Sequence, residues 1–357
     1  MPTAASDEAP VLLRVHGRAG HLVLNRPRSI NALNHAMVRL LDDALTAWER
    51  DDAIATVVLT GAGTRGLCAG GDIRSIHDDV RAGGGAASVA FWRDEYRLNA
   101  RIARFPKPYV AVMDGIVMGG GVGVSAHGSV RIVTERSRIA MPETGIGFVP
   151  DVGGTYLLSR APGELGTHLA LTGSAVGAGD AILCGLADHY VPSERLAEFT
   201  AALADAEVSQ VVAEYATAAP EGELAGQREW IDSCCTADSV EEIVDRLYTS
   251  GDHAAKETAE TILSKSPTSL KVTLAALRRA RALTSLEQVL DQEYRVSAAA
   301  ITAPDLVEGI RAQVVDKDRD PHWSPAELAQ VTDADVARHF APRDGDELGL
   351  AAGTGSR

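Results

Sequence analysis

The stretch PKPYVAVMDGIVMGGGVGVSAHG, residues 106–128, contains the pattern on which this fold depends: an apolar strand, a run of glycines and then a helix. Its first part, 108–115, is typical of a buried strand, and 119–127 has helical character. Consecutive glycines ahead of a helix let another group approach the backbone and leave N–H groups aimed at it. CAGGDIR at 68–74 repeats the arrangement. Two such donors would form an oxyanion hole, and tight turns or helix packing are the alternative.

The surrounding sequence predicts a β/α core. Residues 11–15 and 20–24 read as a hairpin, and a helix follows from Asn34 with apolar residues at the spacing of one buried face. Further strands are expected at 54–61 and 129–134, with a helix over 86–104 between them. Alternating strands and helices over ~150 residues indicate crossover connections.

Helical periodicity dominates after residue 155. The two clearest helices are expected at 266–281, where Ser or Thr can cap the start, and at 286–301. We predict an α/β class with disordered tails at 1–9 and 344–357, which are small and polar.

Composition excludes several classes of function. The 357 residues carry a net charge of −15, which argues against a nucleic-acid partner because duplex binding relies on clustered Lys and Arg. No apolar run reaches the roughly 18 residues of a membrane helix, so no membrane partner is expected. The four cysteines lack metal-ligand spacing and read as reduced thiols, and the start lacks a signal or transit pattern. We therefore expect a cytoplasmic location.

Common cofactor and nucleophile motifs are absent or weak. GAGTRG at 61–66 fits the dinucleotide pattern GxGxxG, but LCAGGD follows where a Rossmann helix should begin, so a flexible turn is better supported. There is no GxSxG elbow, no phosphate loop and no HExxH metal pair. Cys68 and His127 near the glycine loops belong to no such motif and are interpreted as packed residues. The sequence predicts no metal and no cofactor.

Two carboxylates lie in MPETGIGFVPDVGGTYLLSR, residues 141–160, among glycine, proline and apolar side chains. A carboxylate that loses its water is costly unless it is paired or hydrogen-bonded, so the presence of Glu143 and Asp151 in this apolar segment requires an explanation. Each has a structural alternative. Asp151 precedes an expected helix and could favour its N-terminal turn, and Glu143 could be a surface loop residue.

Together these motifs resemble the crotonase, or enoyl-CoA hydratase/isomerase, superfamily from about residue 10 onward. The residues that carry the resemblance are NRPRSINALN (25–34), GLCAGGDIR (66–74), and the stretches 106–128 and 141–160 quoted above. Within the superfamily they are most similar to the 3-hydroxyisobutyryl-CoA hydrolases, thioesterases of valine breakdown. That subfamily also carries a DEY-containing helix (94–96), SPTSLK, and a C-terminal EYR…EGIRA…DKD pattern, all present here.

The resemblance implies a crotonase-like ββα spiral core over 10–210 and a C-terminal helical region over 211–343 that completes the domain. It implies an acyl-CoA substrate, water as the second reactant and a homo-oligomer, trimer or hexamer. Coenzyme A is part of the substrate and not a cofactor.

Position by position, the resemblance implies that the backbone N–H groups of Gly71 and Gly120 form the oxyanion hole. Glu143 and Asp151 are the implied catalytic acids, and both are expected to contact substrate together with Gly120. Glu95, from the DEY helix, is a candidate for the acyl pocket, although a solvated helix face is the alternative.

The implied contacts to the CoA phosphates are weaker. Arg28 and Arg74 are the candidates, because CoA in the superfamily binds near the segment after NRP.

One departure from the superfamily pattern distinguishes between activities. Hydratases use two glutamates to hold and deliver water, one after the GGG loop and one in the PE segment; here the first position is Gly123. Losing one general acid or base costs about 10²- to 10⁴-fold in rate. With Asp151 present where hydratases commonly carry a small residue, we expect thioester hydrolysis. A hydratase or isomerase on the same fold and a non-catalytic acyl-CoA-binding subunit remain alternatives.

Overall fold

The computed structural model describes residues 8–343 and 345–352. Its strands, in chain order, are β1 (Val11–His16), β2 (Ala19–Leu24), β3 (Thr56–Gly61), β4 (Gly66–Cys68), β5 (Tyr109–Met113), β6 (Ile116–Met118), β7 (Val130–Val133), β8 (Arg138–Ala140) and β9 (His189–Tyr190).

The α-helices alternate with these strands and then dominate the rest of the chain. They are α1 (His35–Glu49), α2 (Ile73–Gly83), α3 (Ala86–Ala103), α4 (Gly120–Ser125), α5 (Gly154–Leu158), α6 (Leu165–Thr172), α7 (Ala178–Leu183), α8 (Leu196–Ala202), α9 (Val208–Tyr215), α10 (Leu224–Cys235), α11 (Val240–Thr249), α12 (His253–Leu263), α13 (Pro267–Ala280), α14 (Leu286–Ala300), α15 (Pro304–Ile310) and α16 (Asp333–His339). Four short 3₁₀ turns (Pro27–Ser29, Glu143–Ile146, Ser193–Arg195, Leu328–Gln330) and a π turn (Arg311–Val315) complete the elements.

The chain divides into two compact units. The first comprises residues 8–71, 97–139 and 176–222, and the second comprises 72–96, 140–175 and 223–352 within the described ranges. The core predicted over 10–210 is therefore not contiguous, because 72–96 and 140–175 pack with the C-terminal helices.

The first unit is built on a six-stranded sheet of order β1-β2-β3-β5-β7-β9 and a small sheet of order β4-β6-β8. β1 and β2 form the predicted antiparallel hairpin, and the other pairs of the large sheet are parallel, with Val57 opposite Tyr109 and Val110 opposite Val130. Parallel strands buried on both faces read as continuous apolar runs, which is why the strands were visible in the sequence.

Two local rules explain how the first unit begins. The Asn34 side chain accepts a hydrogen bond from the Met37 N–H at 3.0 Å and caps α1, as expected of an N-cap residue. The buried face of α1 then follows the predicted spacing, with Met37, Val38, Leu41, Ala44, Leu45 and Trp48 buried. The dinucleotide alternative is excluded geometrically, because Gly66 begins strand β4 and opens no helix.

The second unit is mainly helical. Ser266 and Ser285 cap α13 and α14 by accepting hydrogen bonds from the N–H groups of Ser269 and Gln288, as the sequence predicted for the first of them. Part of the core of this unit is an apolar cluster between α13, α14 and α16, which comprises Val149, Val272, Ala276, Val296 and Phe340.

The C-terminal segment corrects one expectation. A disordered tail was predicted over 344–357, but residues 345–352 pack on the second unit. Leu348 is buried, Glu347 forms an ion pair with Arg295, and the Leu350 N–H donates to Asp291. Residues 1–7, 344 and 353–357 of the predicted tails lie outside the described residues. Within the described ranges, no helix has both the length and the apolar composition needed to cross a membrane.

Candidate active site

The two glycine loops of the first unit lie side by side. Gly70 has φ +105°, and a Cβ atom there would lie 3.3 Å from the Met118 carbonyl oxygen and 3.8 Å from the Gly120 nitrogen. A Cβ atom on Gly121 would lie 2.5 Å from the Cys68 carbonyl oxygen, so this approach requires glycine. The loops that carry Gly71 and Gly120 are thus brought together, and the oxyanion hole itself stays a prediction. Gly120 opens α4, where an N–H group has no acceptor within its own helix.

The NRPRSINALN segment holds the first of these loops. The Ala69 N–H donates to the Ile30 carbonyl at 2.9 Å, and the Leu33 N–H donates to the Gly70 carbonyl at 2.8 Å. The buried Asn31 amide, on a left-handed residue of φ 55°, donates to the carbonyls of Ala62, Gly66 and Leu67. Asn31 is a structural residue of the loop that the sequence reasoning did not single out.

Glu143 and Glu95 are buried in the second unit, with 6% and 2% of their surface exposed. Glu143 opens a 3₁₀ turn, and Glu95 lies on α3. One oxygen of each carboxyl, Oε2 of Glu143 and Oε1 of Glu95, has no hydrogen-bond partner among the residues that the structure describes. The alternatives of a surface loop and a solvated helix face are therefore wrong. Unpaired buried carboxyl oxygens are available to a polar group of a ligand.

Asp151 is buried beside them and is held by a chain of hydroxyl groups. Its Oδ2 atom accepts a hydrogen bond from the Tyr96 hydroxyl at 2.7 Å, and that hydroxyl lies 2.7 Å from Ser297 Oγ. Tyr96 and Ser297 are completely buried. The Asp151 side chain is not the N-cap of α5, because Gly153 occupies that position and provides no side-chain cap. Asp151 is thus a buried carboxylate paired with the Tyr96 hydroxyl.

Four buried acids interact in this region, and burial raises the pKa of each. Loss of water raises the pKa of Asp151 to about 7, against the lowering effect of the Tyr96 hydrogen bond. Burial, and then the negative charge of Asp151, raise the pKa of Glu143 and of Glu95 well above their ordinary values. Burial raises the pKa of Glu293 to about 8, although its three donors act in the opposite direction. Several acids with shifted pKa values in one cluster are typical of functional sites.

Glu293 fixes the turn that carries Asp151. Its carboxyl oxygens accept hydrogen bonds from the N–H groups of Gly153 (2.6 Å) and Thr155 (2.9 Å) and from the Thr155 hydroxyl (2.6 Å). Val152, between Asp151 and Gly153, has φ 53°, a region that a β-branched residue rarely occupies. Such a conformation persists only where the surroundings enforce it. Glu293 belongs to the EYR pattern noted in the sequence, but its contact with this turn could not be read from the motif.

The arginines proposed for CoA phosphates are exposed. Arg28 lies in the Pro27–Ser29 turn, and the Arg74 guanidinium donates to the Val314 carbonyl at 2.7 Å. Their phosphate contacts stay a prediction. Within residues 8–343 and 345–352, no group of three or more His, Cys, Asp or Glu side chains is arranged to hold a metal ion.

The chain belongs to the enoyl-CoA hydratase/isomerase family, because the model of that family matches residues 19–340. The mixed α/β architecture and the structural similarities below confirm the predicted crotonase fold.

Three similar proteins carry different names. The 3-hydroxyisobutyryl-CoA hydrolase, mitochondrial, of Danio rerio is 42% identical over 98% of this chain and 94% of its own length. The crystal structure of a carnitinyl-CoA dehydratase from Mycobacterium thermoresistibile is 55% identical with a TM-score of 0.92, covering 96% of this chain and 98% of that one. An enoyl-CoA hydratase from Rhodobacter sphaeroides 2.4.1 is 43% identical with a TM-score of 0.90, covering 95% and 99%.

Proposed function

We propose that this chain hydrolyses acyl-CoA thioesters, with 3-hydroxyisobutyryl-CoA as the substrate and valine breakdown as the setting. The observation that carries the proposal is the pairing of buried Glu143 and Asp151 in one acidic cluster, together with glycine at position 123. The name of the Danio rerio relative, which matches nearly the whole chain, supports the same substrate.

In the proposed reaction, Glu143 carries the nucleophilic step. Its carboxylate either removes a proton from water as the water oxygen attacks the thioester carbon, or attacks that carbon itself to give an anhydride that water then opens. The tetrahedral oxyanion accepts hydrogen bonds from the N–H groups of Gly71 and Gly120. Its collapse breaks the C–S bond and releases CoA as a thiolate. The raised pKa of Glu143, caused first by burial, makes the carboxylate a stronger base than an exposed glutamate.

Asp151 and Glu95 are proposed to recognise the acyl group. An ionised Asp151 accepts a hydrogen bond from the 3-hydroxyl of the substrate or from the attacking water, and its charge raises the pKa of Glu143. Glu95 offers the unpaired Oε1 atom to the same kind of group. A 3-hydroxyacyl chain thus fits this acidic cluster better than a purely apolar chain.

Hydration or dehydration of an enoyl-CoA is the second candidate. The names of the Mycobacterium thermoresistibile and Rhodobacter sphaeroides proteins favour it. The buried Gly123 disfavours it, since it leaves one of the two glutamates of hydratases without a counterpart.

The test compares two reactions of the purified chain: release of free thiol from 3-hydroxyisobutyryl-CoA and hydration of crotonyl-CoA. We expect the first to dominate. Glu143→Gln should lower hydrolysis by about 100-fold or more while CoA esters still bind, because the amide is neither a base nor a nucleophile. Glu257→Gln, at an exposed residue of α12, is the matched control and should keep full activity.

Each contrary result has a distinct meaning. Undiminished hydrolysis by Glu143→Gln would contradict the mechanism. Hydration faster than thiol release would support the second candidate. Binding of CoA esters without either reaction would indicate a non-catalytic acyl-CoA-binding subunit.

The remaining proposals concern the setting of the reaction. We propose that no cofactor takes part, that Arg28 and Arg74 contact the CoA phosphates, and that the chain forms a trimer or hexamer, which sedimentation of the purified protein would measure. We also propose the cytoplasmic location expected from the sequence, where buried cysteines stay reduced. The Danio rerio relative is named as mitochondrial, so fractionation of the source cells is the deciding measurement.

A further inference from the structure

Asp151 is held from one side by two buried hydroxyl groups that bind each other. When Asp151 is ionised its carboxylate can only accept, so the Tyr96 phenol must donate its single proton to Asp151 Oδ2. Ser297 then has to donate its own proton to the Tyr96 oxygen. The result is a directed chain from Ser297 through Tyr96 to Asp151. Because all members are buried, such a chain is stronger than the same contacts in water.

The same helix holds the backbone of Asp151's turn. Ser297 and Glu293 are one helical turn apart on α14, and Glu293 accepts the three hydrogen bonds from Gly153 and Thr155 described above. The unusual φ angles of Val152 and Gly153 would relax without these bonds. α14 therefore fixes Asp151 through both its side chain and its backbone.

We infer that Tyr96, with Ser297 and Glu293 behind it, is a positioning residue that keeps Asp151 oriented and ionised for hydrolysis. The inference rests on the proposed function. Its specific consequence concerns the proton on Asp151: a donor hydrogen bond favours the charged form, and Tyr96 is the side chain that supplies one.

The other titratable groups act in the opposite direction. Besides Tyr96, the groups that interact with Asp151 are Glu95 from α3, Glu143 from its 3₁₀ turn and Glu293 from α14. The three glutamates repel its negative charge when they are ionised. Removal of the Tyr96 hydroxyl thus leaves burial and repulsion uncompensated, and the pKa of Asp151 must rise.

The experiment measures the pH dependence of kcat/KM for thiol release in wild type, Tyr96→Phe and Ser297→Ala. Tyr96→Phe should move the acid limb to higher pH by about one unit, because loss of a hydrogen bond to a charged group changes a pKa by roughly one unit. Ser297→Ala should move it in the same direction by less, because it weakens the donor without removing it. Ser297→Ala also carries the test if Tyr96→Phe does not fold.

Tyr294→Phe is the matched control. The Tyr294 ring packs edge-on against Tyr96 with centroids 6.4 Å apart, but its hydroxyl binds Arg93 at 2.6 Å. Removal of that hydroxyl leaves the chain to Asp151 intact, so the acid limb should stay where it is in wild type. A shift of equal size in Tyr294→Phe would overturn the inference, because it would indicate a general packing effect.

Failure of the proposed function gives a different result. If the acid limbs of Tyr96→Phe and Ser297→Ala coincide with that of wild type, the inference is overturned, but the proposed hydrolysis is not. If wild type releases no thiol, the proposed function fails. In that case the pKa of Asp151 is measured directly from the ¹³C signal of its carboxyl, which is assigned with Asp151→Asn. The pKa should be higher in Tyr96→Phe than in wild type, and an unchanged pKa overturns the inference.

Discussion

Asp151→Asn should make the protein more stable at pH 8 although it damages the active site. Burial raises the pKa of Asp151 from 3.8 to about 7 in the folded chain, so folding disfavours its charged form. The sign follows from proton binding: between these pKa values the folded state holds the proton and the unfolded state does not. Stability is therefore lost as pH rises through this range.

The magnitude follows from the width of that range. At 1.36 kcal/mol per pKa unit, the charged Asp151 costs at most about 4 kcal/mol at pH 8 and under about 1 kcal/mol at pH 4. Asparagine avoids the cost and can still accept from Tyr96, but its own NH₂ group needs a partner, which removes about 1–3 kcal/mol of the gain. The net gain at pH 8 should be about 1–3 kcal/mol.

The assay is urea unfolding of wild type and Asp151→Asn at pH 8, 6.5 and 5, followed by tryptophan fluorescence. The variant should unfold at higher urea at pH 8, and the difference should shrink steadily toward pH 5. Asp188→Asn is a control of opposite sign. Burial acts to raise the pKa of Asp188, but hydrogen bonds and charge from Arg131 lower it overall, so that variant should lose stability at pH 8 and approach wild type as pH falls.

Two results would contradict this account of the Asp151 proton. One is an Asp151→Asn variant that is less stable than wild type at pH 8. The other is a difference between the two proteins that does not depend on pH, because the whole effect comes from a proton that the folded state retains.

Two further predictions concern the framework of the site. Gly121→Ala should lower the free energy of unfolding by about 1–3 kcal/mol, because its Cβ atom would lie 2.5 Å from the Cys68 carbonyl oxygen. In Gly226→Ala, on α10, the Cβ meets nothing within 4 Å, so the same assay should show a gain of up to about 1 kcal/mol from helix propensity. Ser285→Ala removes the N-cap of α14 and should cost about 1 kcal/mol in thermal unfolding. Loss of stability in Gly226→Ala equal to that in Gly121→Ala would contradict the steric argument.

Local pattern was sufficient for much of the fold. The hairpin, the cap at Asn34 and the strands Thr56–Gly61, Tyr109–Met113 and Val130–Val133 follow from periodicity and turn chemistry that act within a few residues. The division into two units did not follow, because packing of 72–96 and 140–175 with distant helices depends on contacts that no local pattern contains.

The site shows the same limit and one missed signal. The charged run RDEYR suggested a solvated face for Glu95, but Phe91 and Trp92, four and three residues earlier on α3, are buried. Residues three and four apart share a helix face, so this spacing already indicated that Glu95 faces the interior. Ser297 gave no comparable signal, since its contact with Tyr96 joins residues 201 positions apart.

The two acids of MPETGIGFVPDVGGTYLLSR are distinguished by their hydrogen-bond partners. Four buried acids that repel one another cannot all ionise near neutral pH, and between Asp151 and Glu143 the donor from a buried hydroxyl favours ionisation of Asp151. Asp151 has the Tyr96 hydroxyl, whereas Oε2 of Glu143 has no partner among the described residues. Asp151 thus becomes the standing charge, and that charge further raises the basicity of Glu143. In the proposed reaction, the chain from Ser297 through Tyr96 therefore sets which acid accepts hydrogen bonds from the substrate and which one takes the proton.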